Sequence, residues 1–554
     1  MSSSSNNVNK ILASTSRLAS YNMLLQLSFR VLTFVLNAFV LRYITKETLG
    51  VVNVRLLLLY STVLFMSREA FRRACLSTDT SHEDGKTTSS KVRWKQTVNL
   101  LWCILPVGVI CNALATYTWI NLLENPDPTV TPHYTSAVYV FGLCAWVELI
   151  VEPLWVIAQS FLFIKLKVIS EGLAILTKCI VTVVLVLLRP HWGLVSFSIA
   201  QVSFSIVYIS IFYGYFTWFV TTNKQKQMDD FPFSTVADFF PKFHVSEGFV
   251  DRKTAKLTKS FFKQSVLKQL LTEGERYVMT ILNVLSFADQ GVYDIINNLG
   301  SLVARFIFLP IEESFYLFFA KTLRRGEDST KQSKDEIKAV THVLFCLLRL
   351  VVLIGSVILA FGLPYSKLLL DIYGGKILSA GVGPVLLKFY CFYVLTIAVN
   401  GTTECFVFAA MSQAQVDRYN KKMFLFSLLF LVTSYYLTKT VGSVGFILAN
   451  CLNMLARIIH SVWFINRFYK GMDEIKSPLL GIIPSNKVIV SLIVSSFICL
   501  ISESYLCCDH GWLYRLAHIS IGAVCLFVCC ITIWLNEGSV VQFLHEQYFK
   551  KYSE

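Results

Sequence analysis

The sequence predicts an all-α polytopic membrane protein of about fourteen transmembrane helices, arranged as two pseudo-symmetric six-helix lobes plus a C-terminal helix pair. Three observations predict this class: the composition, a succession of long apolar segments, and the distribution of Lys and Arg between those segments. Of 554 residues, 55% are hydrophobic and only 15% are charged, whereas soluble domains have about 25% charged residues. The mean hydropathy is +0.58. These values are typical of a chain that lies mostly within a bilayer.

Apolar segments recur along the whole chain, and most are long enough for the roughly 20-residue helix that crosses a membrane. We expect helices at 20–42, 49–66, 97–120, 134–164, 166–188, 192–219, 259–284, 290–320, 339–361, 384–411, 423–438, 441–466, 488–505 and 513–535. Pro106, Pro153 and Pro310 lie inside three of them. Because proline frees a backbone carbonyl, these positions are candidate bends.

The polar segments between these helices differ in charge according to their side of the membrane. An even number of spans places both termini on one side. Counted together with the residues at the bordering helix ends, the segments on that side contain thirty-three Lys and Arg residues, against six on the other. Cytosolic loops of membrane proteins carry this excess. We therefore expect a multi-pass protein with both termini in the cytosol. The net charge of +15 then reflects cytosolic loops, and it does not indicate binding to nucleic acid.

The longest polar segments predict how the chain is divided. We expect a cytosolic N-terminal tail at 1–19, an N-terminal lobe at 20–219, a cytosolic inter-lobe linker at 220–258, a C-terminal lobe at 259–466, a terminal helix pair at 488–535 and a cytosolic C-terminal tail at 536–554. A weak internal repeat supports two lobes, because Gly50 and Glu69 correspond to Gly291 and Glu313. Parallel repeats of this kind occur in transporters.

Several basic residues fall inside the predicted helices. An Arg at the bilayer centre costs about 3 kcal/mol on insertion scales, so these side chains must line an aqueous cavity or pair with acids. Arg is suited to phosphate because its planar guanidinium is always charged. Arg30, Arg55 and Arg305 have no acid within one turn of their own helix. The predicted cavity cations, which would bind a diphosphate, are Arg30, Arg55, Lys178, Arg276, Arg305 and Arg349.

Acidic residues also fall inside the predicted helices. They either line the cavity and couple the lobes, or form ion pairs that fix the packing of the helices. Glu148 and Glu152 share a helix face, and Lys178 on the next helix is a plausible partner for them. Glu273 and Arg276 are three residues apart and could pair within one helix. The predicted cavity or coupling acids are Glu148, Glu152, Glu275, Glu312 and Glu313.

Motifs for nucleotide, metal or hydrolytic chemistry are absent from the sequence. GKT at 85–87 resembles the end of a P-loop, but Thr80 occupies the position of the required first glycine. There is no HExxH, no GxSxG and no cysteine pair with zinc spacing. We therefore predict a protein that is not an enzyme, needs no cofactor or metal, and drives any transport by gradients rather than by ATP hydrolysis on this chain.

Long charge-bearing stretches carry a resemblance to a known family. They are SREAFRRACL at 67–76, LTEGERYVMT at 271–280, DQGVYDIINNLGSLVARFIFLPIEESFY at 289–316, LDIYGG at 370–375 and GSVGFILANC at 442–451. Over nearly its whole length the sequence resembles animal members of the Rft family of the endoplasmic reticulum. That family belongs to the superfamily of multidrug, oligosaccharidyl-lipid and polysaccharide exporters. The resemblance implies the exporter-superfamily fold, with two six-helix lobes around a central cavity.

The resemblance also implies a function. It implies a flippase that moves Man5GlcNAc2-PP-dolichol from the cytosolic to the lumenal leaflet of the endoplasmic reticulum for protein N-glycosylation. Its partners are then this dolichol-diphosphate oligosaccharide, the lipid bilayer and other glycosylation-pathway proteins. An alternative is a non-transporting accessory protein that binds or presents the glycolipid to lumenal enzymes, and the sequence does not separate the two. A cation exporter is disfavoured, because the charge within the membrane is net positive. The resemblance supplies no residue-level site.

Overall fold

The structure is a computed structural model that describes residues 28–29, 31–79, 90–224, 231–242, 248–472, 476–508 and 511–549. This part of the chain is helical and contains no β-strand. The chain divides into two compact units, Met1–Asn283 and Val284–Glu554, which we call unit 1 and unit 2. The polytopic all-α class predicted from the sequence is confirmed.

In unit 1, α2 is the central helix, and it packs against α3, α4 and α7, while α5 packs against α6. The helices are α1 (Val31–Val40), α2 (Lys46–Ser77), α3 (Val92–Leu122), α4 (Tyr134–Ser160), α5 (Ile164–Leu188), α6 (Leu194–Thr221), α7 (Arg252–Thr272) and α8 (Gly274–Leu282). Lys268 on α7 pairs with Glu69 on α2 at 3.0 Å, and Thr62 is hydrogen-bonded to Tyr277 on α8 at 2.7 Å. These interactions place α7 and α8 in unit 1.

In unit 2, α11 and α12 form the most extensive helix pair, and α12 also packs against α14. The helices are α9 (Phe287–Val303), α10 (Leu309–Thr322), α11 (Lys334–Gly374), α12 (Gly383–Ala410), α13 (Gln413–Val441), α14 (Val444–Phe468), α15 (Asn486–Leu506), α16 (Trp512–Asn536) and α17 (Gly538–Phe549). The helices α15 and α16 pack on each other and α15 packs on α11. The two units are defined by their compactness, whereas the two lobes are predicted from a sequence repeat. Because the criteria differ, the lobe boundaries stay a prediction.

Each of the fourteen predicted helical ranges overlaps a helix of the structure. Within the described chain, eleven helices are long and apolar enough to cross a membrane. The three remaining predicted spans correspond to α1, which is short, to α7 with α8, and to α9 with α10, which carry charged residues. The count of fourteen therefore stays a prediction.

Irregular turns interrupt the membrane helices at informative places. In the described chain, π-helical turns span Val51–Leu56, Thr118–Leu122 and Ala304–Phe308, and a 3-10 turn spans Leu149–Val151. The 3-10 turn directly precedes Glu152 and Pro153, and the π turn at Ala304–Phe308 ends two residues before Pro310. Two π turns contain Arg55 and Arg305. Such turns are frequent at functional sites, so they single out these two arginines.

Part of the predicted inter-lobe linker packs on α3, where the buried side chain of Asn99 bonds its backbone. Its Nδ2 donates to the carbonyls of Lys242 and Phe249 at 2.8 and 2.9 Å, and its Oδ1 accepts from the Lys242 amide at 2.7 Å. Trp102 donates its indole N–H to the Phe239 carbonyl at 2.9 Å. These side chains satisfy backbone groups of the linker that no secondary structure pairs.

A capping box stabilises the docked part of the linker. The side chains of Thr235 and Asp238 bond each other's backbone at the start of the turn Val236–Phe239, and Lys242 also donates to the Asp238 carboxylate. Burial opposes ionisation of Asp238, but the hydrogen bonds from Lys242 and the backbone outweigh it and lower the pKa of this carboxyl to about 2. Asp238 is therefore ionised at neutral pH, and the turn keeps its anionic cap.

We predict that Asn99→Ala releases the linker from α3. The substitution removes three hydrogen bonds and leaves the Lys242 amide without its acceptor, and each buried polar group left unpaired costs about 1–3 kcal/mol. Limited proteolysis of the purified protein should cut the linker several times faster than in the wild type. Asn121→Ala is the matched control, because Asn121 is exposed and, within the part of the chain that the structure describes, its side chain bonds only the Tyr117 carbonyl of its own helix. Equal cutting rates for all three proteins would contradict the docking.

Candidate functional site

Arg55 is the most deeply buried of the predicted cavity cations that the structure describes, with none of its surface exposed. It lies in the π turn of α2, where its Nη2 donates to Asn283 Oδ1 at 2.8 Å. Asn283 ends α8 in the left-handed conformation, with a φ of 47°. The carbonyl of Arg55 accepts from the indole N–H of Trp119 at 2.9 Å, which fastens the π turns of α2 and α3 together. Arg55 is thus covered in this structure.

Glu148 of α4 and Lys178 of α5 lie in one polar cluster within unit 1, but Gln201 of α6 separates them. Lys178 donates to Gln201 Oε1 at 2.6 Å, and Gln201 donates to Glu148 at 3.5 Å. Tyr60 and Ser205 also donate to Glu148, which is 3% exposed. A direct Lys178–Glu148 pair was a wrong prediction, since among the described residues no ion pair within 4.0 Å joins them. A neutral amide bridges the two charges instead.

Glu152, at the start of the second half of α4, is paired with two arginines of α2. Arg72 donates to it through Nε at 2.5 Å and through Nη2 at 2.8 Å, and Arg68 lies at 3.3 Å. The Arg72 guanidinium also lies over the Trp155 ring, 3.6 Å from its centroid. Glu152 is 2% exposed, and Lys178 is not its partner. This triad fixes α2 against α4.

Two cations of α7 and α8, Lys268 and Arg276, form ion pairs. Arg276 pairs with Glu273 at 3.1 Å, as the three-residue spacing predicts, and its side chain remains 27% exposed. Glu69 of α2 accepts from both Arg73 and Lys268. Glu275 is half-buried. Arg276 therefore keeps an accessible side of its guanidinium while its charge is partly compensated.

Arg305 is exposed, in contrast to Arg55. Its Nη2 donates to the Asn298 carbonyl at 3.2 Å and to the hydroxyl of Ser301, both on the preceding turns of its own helix. Within the described chain, no carboxylate lies within 4.0 Å of this guanidinium. Arg305 is held in place by neutral groups and keeps an uncompensated charge.

Glu312 and Glu313 of α10 face different surroundings. Glu313 is exposed and Glu312 is half-buried. The Glu312 carboxylate lies directly against Gly401 of α12, where an added Cβ would be 1.7 Å from Oε1. Gly401 thus makes room for a carboxylate where α10 packs against α12.

Buried Glu404 and half-buried Arg457 form an ion pair that the sequence-based prediction did not include among the site residues. Arg457 donates to Glu404 through Nε at 2.8 Å and through Nη2 at 2.5 Å, and Tyr419 donates to the same carboxylate. The three residues join α12, α14 and α13. The sequence contained one indication of this pair, because Glu404 and Arg457 both fall inside predicted helices.

Arg349 of α11 binds the end of the terminal helix pair. It pairs with Glu537 at 2.7 Å and donates to the carbonyls of Leu480 and Gly481 at 2.9 and 3.0 Å. Glu537 also accepts from the Ser485 amide. These interactions give Arg349 a structural role at the junction of α16 and α17. Arg30, the remaining predicted cation, lies outside the described residues.

The predicted cavity residues are thus distributed over several clusters. Arg349 and Arg276 pair with carboxylates, and Arg55 and Lys178 bond side-chain amides. Among the described residues, Arg305 bonds only neutral groups of its own helix. The described residues contain no group of three His, Cys, Asp or Glu side chains that could hold a metal ion. The chemistry that this arrangement supports is the binding of an anion by a guanidinium, with Arg305 and the exposed side of Arg276 accessible to one.

Comparisons with known proteins cover nearly the whole chain. A family model described as Rft protein matches residues 14–547. The Man(5)GlcNAc(2)-PP-dolichol translocation protein RFT1 of Xenopus tropicalis is 52% identical, with 98% of each chain covered. The protein of the same name from Mus musculus is 49% identical over 97% of each chain, and that of Drosophila melanogaster is 38% identical, covering 87% of this chain and 89% of its own.

A solved structure shows the fold. A lipid II flippase, MurJ in an inward closed conformation, aligns with a TM-score of 0.56 and covers 92% of this chain and 98% of its own. Its sequence identity is 14%, so the likeness concerns the fold alone. The chain therefore shares the fold of this flippase, as the family resemblance implied.

Proposed function

Because this chain belongs to the Rft protein family, we propose that it is a flippase that moves Man5GlcNAc2-PP-dolichol from the cytosolic to the lumenal leaflet of the endoplasmic reticulum. The observation that carries this proposal is its 52% identity, over 98% of both chains, to a relative whose name states translocation of this lipid. The exporter fold supports a transport role. The chain is a membrane protein whose relatives are named as translocation proteins rather than as enzymes.

The diphosphate of the substrate is the group that this chain's cations are proposed to bind. Moving a double phosphate through a hydrocarbon layer of about 30 Å requires charge compensation at membrane depth. Arg305 is suited to this task because it is exposed, lies in a π turn and has an uncompensated charge. Arg276 offers the exposed side of a guanidinium that already holds Glu273. Arg55, now covered, becomes a phosphate ligand only if its hydrogen bond with Asn283 opens.

The membrane orientation is part of the proposal. We place both termini in the cytosol, since Lys and Arg concentrate in the segments on that side. Acceptor sites for N-glycosylation inserted near either terminus should then stay unmodified. Sites inserted in the segment 124–133, between α3 and α4, should be glycosylated. Modification at a terminus would overturn this orientation.

The test of translocation uses the purified full-length chain in liposomes that contain radiolabelled Man5GlcNAc2-PP-dolichol. Lipid in the outer leaflet is detected with a soluble mannosidase or lectin that does not enter the vesicle. We expect the protected fraction to become accessible faster in proportion to the number of proteins per vesicle. Vesicles with an unrelated helical membrane protein at the same density are the control. Accessibility equal to that control would overturn the flippase proposal and favour an accessory protein that binds or presents the glycolipid.

A further inference from the structure

A cavity of about 320 Å³ lies in unit 2, where the start of α13, the end of α14 and the loop after α10 meet. The ends of two neighbouring helices fasten that loop in place. The amide of Gly326 donates to the Ala410 carbonyl at 2.8 Å, and Ser329 Oγ donates to the Phe468 carbonyl at 2.6 Å. Inside the cavity, the Tyr419 ring is stacked on His460 with centroids 4.5 Å apart. The walls of the cavity are therefore held by the protein's own hydrogen bonds and ring packing.

Three cations line this cavity: Arg418, Lys422 and Arg467. Within the described chain, none of the three has a carboxylate within 4.0 Å. Lys422 Nζ and the Arg467 guanidinium lie 5.9 and 5.7 Å from the ring centroid of Trp463. Because no carboxylate neutralises these cations at close range, the cavity attracts an anion.

Two carboxylates, Glu327 and Asp328, line the same cavity from the loop side. They are acceptors, and they do not pair with the three cations. A ligand that satisfies both sets of groups has an anionic phosphate together with hydrogen-bond donors such as hydroxyl groups. A bare phosphate leaves the carboxylates facing an anion, which is unfavourable.

An exposed apolar surface leads away from the cavity along α13 and α14. On α14 it runs through Trp463 (54% exposed), Ile459 (69%) and Leu455 (40%), each one helical turn from the next. On α13 it runs through Leu425 (60%) and Leu429 (55%). These helices are candidate membrane spans, so hydrocarbon chains can lie on this surface while a headgroup stays in the cavity.

We propose that this cavity binds the headgroup of an anionic phospholipid that carries hydroxyl groups. Arg418, Lys422 and Arg467 hold the phosphate, and Glu327 and Asp328 accept hydrogen bonds from the hydroxyls. The acyl chains lie on the apolar surface of α13 and α14. Basic pockets at the ends of membrane helices bind lipid headgroups in this way. The site is independent of translocation, and it stands or falls separately from the proposed function.

The experiment titrates the detergent-purified full-length chain with phosphatidylinositol and counts bound lipids by native mass spectrometry. We expect phosphatidylinositol to bind at least about tenfold more tightly than phosphatidylcholine. The double substitution Lys422→Gln with Arg467→Gln should lower the affinity for phosphatidylinositol at least about tenfold, because the variant loses two charge-assisted hydrogen bonds to the phosphate. Lys421→Gln is the matched control, since the neighbouring Lys421 is also exposed and does not line the cavity.

Free inositol 1-phosphate at millimolar concentration separates a lipid site from a site for a soluble phosphate compound. We expect it not to displace the lipid, since the free headgroup lacks the apolar interactions of the chains. A photoactivatable phosphatidylinositol bound to the wild type should label residues near Trp463, and this measurement holds even if the double variant fails to fold. Equal loss of affinity in the Lys421→Gln variant, full displacement by inositol 1-phosphate, or labelling elsewhere would each overturn the assignment.

Discussion

Replacing Glu152 by Gln is expected to lower the apparent melting temperature of the purified protein by on the order of 10 °C and to reduce its abundance in cells. The substitution preserves the shape of the side chain but removes the only carboxylate, among the described residues, within 4.0 Å of Arg68 and Arg72. Breaking a buried pair from one side costs about 3–5 kcal/mol. The side chain of Arg72 that loses its partner is only 14% exposed, although that of Arg68 is 28% exposed. A loss of this size shifts a melting midpoint by about 2–4 °C per kcal/mol in a domain of roughly 150–250 residues. In this variant two guanidinium groups, those of Arg68 and Arg72, lose the carboxylate with which they pair.

Glu171→Gln is the control for this prediction. Glu171 lies on α5, is exposed, and makes no ion pair within 4.0 Å with any described residue, so its replacement should change the melting temperature by less than about 2 °C. Thermal unfolding is followed by the loss of the monodisperse peak on size-exclusion chromatography after heating. A Glu152→Gln protein as stable as the wild type that no longer supports translocation would contradict the structural role. That result would place Glu152 in the transport mechanism instead.

The helices were predictable because apolar length is a property of each segment alone. A run of about 20 apolar residues must be helical in a bilayer, whatever its neighbours, since no water satisfies its backbone. The prediction at 339–361 therefore coincides with α11, although α11 extends from Lys334 to Gly374. The ends were less predictable, because a helix such as α11 continues beyond its apolar run into the flanking polar residues.

The partners of the membrane charges were not predictable to the same degree. Arg276 and Glu273 are three residues apart on one helical face, and the spacing alone predicts their pairing. Arg55 and Asn283 are 228 residues apart in the chain, and Arg349 and Glu537 are 188 apart. Such pairings depend on which helices are neighbours and on how each helix is rotated about its axis. The apolar surroundings of a membrane helix do not reveal that rotation, since lipid and helix interiors have similar polarity.

Burial now separates the two arginines that the sequence alone treated alike. Arg55 and Arg305 both lie in π turns and neither has an acid within one turn of its helix. Arg55 has none of its surface exposed and connects α2 to the end of α8. Arg305 is exposed, and the hydrogen bonds that hold it come from its own helix. Removal of Arg55 should thus affect folding, whereas removal of Arg305 should affect binding of an anion.

Arg305→Ala is expected to slow transbilayer movement of Man5GlcNAc2-PP-dolichol in liposomes by about tenfold or more without reducing the abundance or melting temperature of the protein. A hydrogen bond to a charged group contributes about 1.5–3 kcal/mol, and about 1.4 kcal/mol corresponds to a factor of ten. Stability should change little, because the lost hydrogen bonds are to Ser301 and the Asn298 carbonyl on the exposed side of one helix. Arg305→Lys should recover part of the rate, since the charge returns without the planar set of donors.

Lys321→Ala provides the matched control, because Lys321 is an exposed cation near the end of α10. It should leave the rate within about twofold of the wild type. In cells depleted of their own Rft protein, the same variants should rank in the same order by glycosylation of a secreted reporter. If Arg305→Ala instead lowers abundance in step with glycosylation, the guanidinium stabilises the π turn rather than the substrate. An unchanged translocation rate with normal abundance would remove Arg305 from the phosphate path altogether, leaving Arg276 as the exposed cation to test.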